Sequence, residues 1–249
     1  MAKARTPATA PLLPAQAADR LNALQAHPEL AGDRIYRADV FPQGESGAPP
    51  LFFYARHVQA IGDDLLASHL TYLPSGDLII EERVTSSLSY GFQRFDVANR
   101  QTGLAGSVVL DAGQNRLRFK RTNSVQQQSE RVNAPVVAGP NLHGHILRHW
   151  DALAKAERLP VRMAVLARME TLGFDIHKVE SNDNVTAFQI TPSHFLIRLV
   201  VSPLRVVFDN ATRRVLRYEG RVPPMRANEQ KLVDLDAVVH YHWDTDRYR

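Results

Sequence analysis

The sequence predicts a mainly β protein: one long antiparallel sheet curved into a closed or half-open barrel, with one plug helix over 141–157 and a short helix near the N-terminus. Three observations carry this expectation. Short segments of alternating apolar and polar residues recur through most of the chain, separated by clusters of turn-forming residues. One internal stretch switches to a helical period and sits between two runs of such segments. The chain has 249 residues and is 44% hydrophobic, enough for one large β domain with its own core.

The helical stretch anchors the reading. Leu142, Ile146, Trp150 and Leu153 recur at helical spacing, and Leu147 and Ala154 widen the same arc. Gly139-Pro140-Asn141 is a start signal, because Pro suits a first helical turn and Asn or Gly suits the cap before it. Leu159-Pro160 is the stop, since the residue before Pro is pushed out of the helical region. A lone amphipathic helix between two sets of strands buries its stripe against the concave face of a curved sheet.

Residues 1–14 are rich in Ala, Pro and Thr and read as a flexible tether, with 15–249 as a single β-rich domain. The tether lacks the apolar core of a signal peptide, so the expected setting is a periplasmic protein after removal of an export signal, with the cytoplasm as the alternative. Ala17, Leu21, Leu24 and Leu30 form the short N-terminal helical pattern. Strand-like segments then run from Ile35 to Thr122 across turns such as Ile61-Gly62-Asp63-Asp64 and Pro74-Ser75-Gly76-Asp77, the pattern of sequential hairpins. Arg116-Leu117-Arg118-Phe119-Lys120 shows the alternation most sharply, with two apolar residues on one face and three cations on the other. After the helix, strand character resumes from Val161 to Gly220, Arg221 to Asn228 reads as a Pro-rich excursion, and Leu232 to Trp243 supplies a last strand. The expected total is about ten to thirteen strands. Phe195 to Val201 is apolar on both faces, which suits a central strand or one facing a cavity.

Composition excludes several functions. The formal charge is +4, but Lys and Arg are spread along the strands without a dense block, so no nucleic-acid partner is expected. No run approaches the ~20 apolar residues of a membrane-spanning helix, which leaves contact with a membrane surface open. The absence of cysteine removes disulfides, thiolate metal ligands and cysteine nucleophiles. The layout of strands, plug and strands, together with Gly139-Pro140-Asn141 through Leu153, Leu159-Pro160-Val161-Arg162-Met163 and Val207 through Gly220, resembles uncharacterised proteobacterial periplasmic β-barrel families. It is more distantly similar to the half-barrels that localise lipoproteins or carry lipids. That resemblance implies a bent sheet around a plug helix and an acyl chain inside, and no catalytic residue.

The residues that carry chemistry are few. His145 and His149 lie one helical turn apart, and His240 and His242 share one face of the last strand, both arrangements that suit a metal. Ile146 stands where a zinc-hydrolase helix has its glutamate, so no metal or other cofactor is assigned. No nucleophile elbow and no dinucleotide-binding glycine loop is present. Glu81 and Glu82 are consecutive strand residues and face apart, one as a wet-face charge and one as a cross-strand partner. The expected function is therefore non-enzymatic binding or carriage of an apolar, lipid-like ligand in the bacterial envelope, on a surface formed by Leu142, Ile146, Trp150, Leu153, Phe195, Ile197 and Leu199. The alternatives are an envelope structural or interaction protein with a filled core, and a metal-dependent hydrolase using the helix histidines. The sequence leaves the oligomeric state open.

Overall fold

The computed structural model describes residues 36–45, 47–122, 124–194, 202–229 and 231–242. The N-terminal tether and helix, and Phe195, Ile197 and Leu199, lie outside the described residues. Before the plug the chain forms β1 (Tyr36–Pro42), β2 (Phe52–Ile61), β3 (Asp64–Tyr72), β4 (Leu78–Ser87), β5 (Phe92–Asn99), β6 (Leu104–Asp111), β7 (Arg116–Arg121), β8 (Gln127–Arg131) and β9 (Val136–Val137). After it come β10 (Leu159–Val165), β11 (Glu170–Ser181), β12 (Val185–Pro192), β13 (Leu204–Asp209), β14 (Val215–Asn228) and β15 (Lys231–His242). All fifteen strands belong to one sheet, in the order β8-β7-β6-β5-β4-β3-β2-β1-β15-β14-β13-β12-β11-β10-β9.

The connections explain this order. Most neighbours in the chain are antiparallel neighbours in the sheet, joined by turns such as Gly62-Asp63, where Gly62 takes a φ of 61°. β8 and β9 instead stand at the two ends of the sheet, and β9 pairs parallel with β10 across the plug. The two runs are stitched by antiparallel pairing of β1 with β15, in register Arg37 to His242 through Pro42 to Ala237. Register shifts at Thr71/Tyr72, Thr85/Ser86, Lys178/Glu180, Val207/Phe208 and Val222/Arg226 bend the strands and add twist, which curls so wide a sheet into a half-open barrel. At Gly106 β6 closes so tightly on β7 that a Cβ would lie 2.2 Å from the Lys120 carbonyl oxygen.

Three details differ from the sequence reading. Among the described residues fifteen strands are present rather than ten to thirteen, partly because β8 and β9 are short edge strands without a clear apolar alternation. The Pro-rich stretch is no excursion, since β14 runs unbroken from Val215 to Asn228. Pro223 and Pro224 fall inside the register shift between Val222 and Arg226, where a missing amide donor costs no ladder hydrogen bond. The plug is two short helices rather than one, α1 (Leu142–Arg148) and α2 (Trp150–Ala154), led in by a 3-10 turn at Gly139–Asn141. The break falls at His149, whose φ of −104° and ψ of 18° leave the helical region.

Among the described residues the sheet does not close by a backbone ladder; side chains bridge its two ends. The Glu130 carboxylate on β8 accepts hydrogen bonds from Arg162 Nη2 at 2.7 Å, the Thr171 amide at 2.7 Å and the Thr171 hydroxyl at 2.6 Å. Arg121 of β7 donates to the Ala167 carbonyl across the same gap. Burial opposes ionisation of Glu130, but the Thr171 donors and Arg162 outweigh it and hold its carboxyl below the ordinary glutamate range. A depressed carboxyl contributes stability that is present above its unfolded-state value and lost as pH falls through the folded one. The seam should therefore hold at neutral pH and loosen in acid below about pH 4. Glu130→Gln should cost about 1–2 kcal/mol near neutral pH, discounted for partial exposure, and should flatten the acid limb of a stability curve measured by urea unfolding. An acid limb of unchanged slope in that variant would show that the latch contributes nothing.

Candidate functional site

Strand alternation sends two different walls to the inside of the curve. On β10 to β14 the inward residues are Val161, Phe174, Ile176, Phe188, Ile190, Leu204, Val206, Phe208 and Val215, all buried in one core with Leu142, Ile146, Trp150 and Leu153 of the plug. The predicted helix stripe is thus where the spacing placed it. Trp150 meets Phe188 and Phe208 edge to face, with ring centroids 5.0 Å and 5.6 Å apart. Each of these side chains contributes ~1.5–3 kcal/mol by leaving water.

The facing wall is polar where the pattern calls for apolar residues. Phe52, Tyr54, Arg56 and Val58 alternate inward on β2, Leu65, Ala67, His69 and Thr71 on β3, and Ile80, Glu82, Val84 and Ser86 on β4. The registers set Arg56 opposite His69 and His69 opposite Glu82, so a guanidinium, an imidazole and a carboxylate form one row across three strands. Arg56 is 1% exposed and donates to the Pro140 carbonyl of the turn that starts the plug. His69 Nδ1 lies 3.3 Å from Glu82 Oε2. The ring of His69 also packs edge-on against Tyr54, 4.4 Å between centroids.

The plug closes over this row with polar residues of its own. Asn141 is fully buried, and its Oδ1 accepts the Ala138 amide at 2.8 Å. His143 packs edge-on against Tyr241 at 5.6 Å and Phe208 at 6.1 Å. Burial, then the charge of Arg56, then that of His69, push His143 well below the usual imidazole range and keep it neutral. Several buried polar atoms of this interior find no hydrogen bond, Thr71 Oγ1, Ser86 Oγ and Asn141 Nδ2, and on the other face of the plug neither ring nitrogen of His145 finds one. A buried polar atom costs ~1–3 kcal/mol unless a partner meets it, a demand that an apolar core does not make.

The histidine pairs are not brought together. His145 and His149 lie side by side on the plug, their rings tilted and their centroids 4.6 Å apart, while His240 and His242 project from the outer face of β15. His242 Nε2 lies 2.9 Å from Asp39 Oδ2, and His240 packs on Phe41. Among the described residues no group of three or more His, Cys, Asp or Glu is placed to hold a metal ion. Glu81 and Glu82 do face apart, with Glu82 bound to His69 inside and Glu81 paired with Arg83 outside. An open groove of about 440 Å³ lies on the outer face of β4 to β7, floored by Ala98, Ala105 and Gly106 and walled by Arg83, Arg94 and Lys120.

The polar row is hidden in the sequence because the apolar residues alone define each strand's phase, and polar residues in that phase break the alternation. Arg56, His69 and Glu82 were nonetheless legible as charges at inward positions. No helix among the described residues is long and apolar enough to cross a membrane. No protein-family model and no curated protein matches the sequence.

Proposed function

We propose that the protein is a non-enzymatic binding protein of the bacterial envelope, acting in the periplasm on an apolar, lipid-like molecule. The two-sided interior is the observation that carries this reading. One wall is continuous apolar and aromatic surface, and the other presents a buried guanidinium, imidazole and carboxylate with orphaned polar atoms around them. Such a pair of walls suits an acyl chain on one side and a polar head group on the other. The plug between them consists of helices of seven and five residues, too short to persist without the sheet they pack on. An acyl chain that replaces its contacts with Phe188 and Phe208 therefore competes with a weakly self-sustaining element. The envelope setting rests on the resemblance in layout to periplasmic half-barrels.

Protein purified from its own host should carry a bound mass in native mass spectrometry that organic extraction removes, and should bind a fluorescent fatty-acid analogue. A bare chain that also ignores the analogue would remove the carrier reading. A second reading, an envelope interaction protein with a filled core, has its own support: Trp150 is packed ring to ring on Phe188 and Phe208, and the edge strand β8 is largely exposed from Gln127 to Arg131. It is the reading that a negative result in both binding assays leaves standing.

A further inference from the structure

His145 is 3% exposed, and neither of its ring nitrogens makes a hydrogen bond. A neutral imidazole has one donor and one acceptor, and a buried histidine ordinarily places at least one of them on a carbonyl, a hydroxyl or a carboxylate. Among the described residues its aromatic neighbour is another imidazole, His149, four residues on, with ring centroids 4.6 Å apart and planes inclined by 52°. Among the described residues the groups that shift these rings are cationic: burial and then His149 lower His145 to about 4, and burial and then Arg148 lower His149. Both shifts favour the neutral ring, which is the form that binds metals.

The spacing has a chemical meaning. A ring nitrogen about 2.0–2.1 Å from a metal puts the ring centroid about 3.2 Å from it, so two rings in adjacent coordination positions at about 90–110° stand roughly 4.5–5.2 Å apart. Two rings on opposite sides of a linear ion would stand about 6.4 Å apart by the same arithmetic. The observed 4.6 Å fits the first arrangement and not the second. The break in the plug at His149 contributes, because that ring is half-buried and leaves one side of the pair open to water.

We propose that His145 and His149 form a two-imidazole site for a late first-row transition-metal ion, copper(II) above zinc(II), with water in the remaining positions. Imidazole nitrogen suits both ions, and copper(II) binds such a donor set more tightly. The bound ion takes up a nitrogen of His145 that otherwise has no partner, and it ties the middle of α1 to the break between α1 and α2. The site is independent of the lipid-binding reading and lies on the face of the plug away from His143, which packs on Phe208 and Tyr241.

The test uses the full chain, purified without a histidine tag and stripped of metal by a chelator, then titrated with copper(II) chloride at neutral pH. One copper per chain is expected, with nitrogen hyperfine splitting in its paramagnetic resonance spectrum and weaker binding of zinc(II) chloride. His149→Gln, at a half-buried position, should weaken copper binding by about 10-fold or more. The double variant His240→Gln, His242→Gln should leave it unchanged. His145→Gln should match His149→Gln, with circular dichroism confirming its fold. Copper binding that survives His149→Gln, disappears in the His240/His242 variant, or is absent from the parent chain overturns the proposal.

Discussion

Trp150→Ala is expected to lower the unfolding free energy by about 3–5 kcal/mol, the largest loss of any single truncation in the plug. The indole is 7% exposed and stands at the meeting point of α2, β12 and β13, edge-on to both Phe188 and Phe208. Its remaining face is covered by the Arg213 guanidinium, 3.9 Å from the ring centroid. Removing the ring forfeits the transfer free energy of the indole, aromatic contacts of about 0.5–1.5 kcal/mol per pair, and a cation–π contact of about 0.5–1 kcal/mol at this exposed guanidinium. Partial collapse of the plug into the cavity limits the total. Trp150→Phe retains part of the aromatic packing and should lose less than half as much. Urea unfolding followed by circular dichroism measures both variants. A loss below about 1 kcal/mol for Trp150→Ala would mean that the plug does not anchor the apolar wall.

Trp150 also illustrates how much the sequence disclosed. The stripe Leu142, Ile146, Trp150 and Leu153 was readable because a helical period stands out against a two-residue one, and all four side chains are buried. The break at His149 was not readable, because the apolar spacing continues across it and only the backbone geometry records it. Leu117 and Phe119 are buried while Arg118 and Lys120 are exposed, as strict alternation requires. β9, with two residues, is too short to show a period at all, and β8 carries only polar residues. Pro223 and Pro224 misled for a physical reason: proline argues against a strand only where its missing amide would have met a partner, and at a register shift it does not.

The candidate site divides along the same line. Its apolar half follows from periodicity, which is local. The row Arg56, His69, Glu82 depends on the register of β2 on β3 and of β3 on β4, and register is a property of pairs of strands. The orphaned nitrogens of His145 are further from the sequence still, since helical spacing places His149 beside it but says nothing of what surrounds the pair.

Gly144→Ala separates helix propensity from packing, because the two predict opposite signs. Gly144 lies inside α1, where alanine alone would stabilise by about 1 kcal/mol. A Cβ at this position would stand 1.8 Å from Tyr90 Cε1 and 2.1 Å from Tyr90 Cζ, against the roughly 3.5–4.0 Å of an ordinary carbon contact. Tyr90 has little freedom to yield: its ring is 2% exposed, and its amide donates to the Ser87 carbonyl at 2.8 Å in the turn between β4 and β5. Its φ of 61° is itself a strained value for a bulky residue, stabilised by seating the ring against a helix that has no side chain there. Gly144→Ala should therefore destabilise by about 2 kcal/mol or more despite its better helix propensity. Tyr90→Ala alone should cost about 3 kcal/mol through the cavity it leaves. In the Tyr90→Ala background, however, Gly144→Ala has nothing to strike and should become neutral or stabilising by up to about 1 kcal/mol. That inversion of sign, read from a double-mutant cycle of urea unfolding, is the decisive result. If Gly144→Ala stabilises the parent chain, the ring does not sit over α1 and the hairpin of β4 and β5 does not clamp the plug.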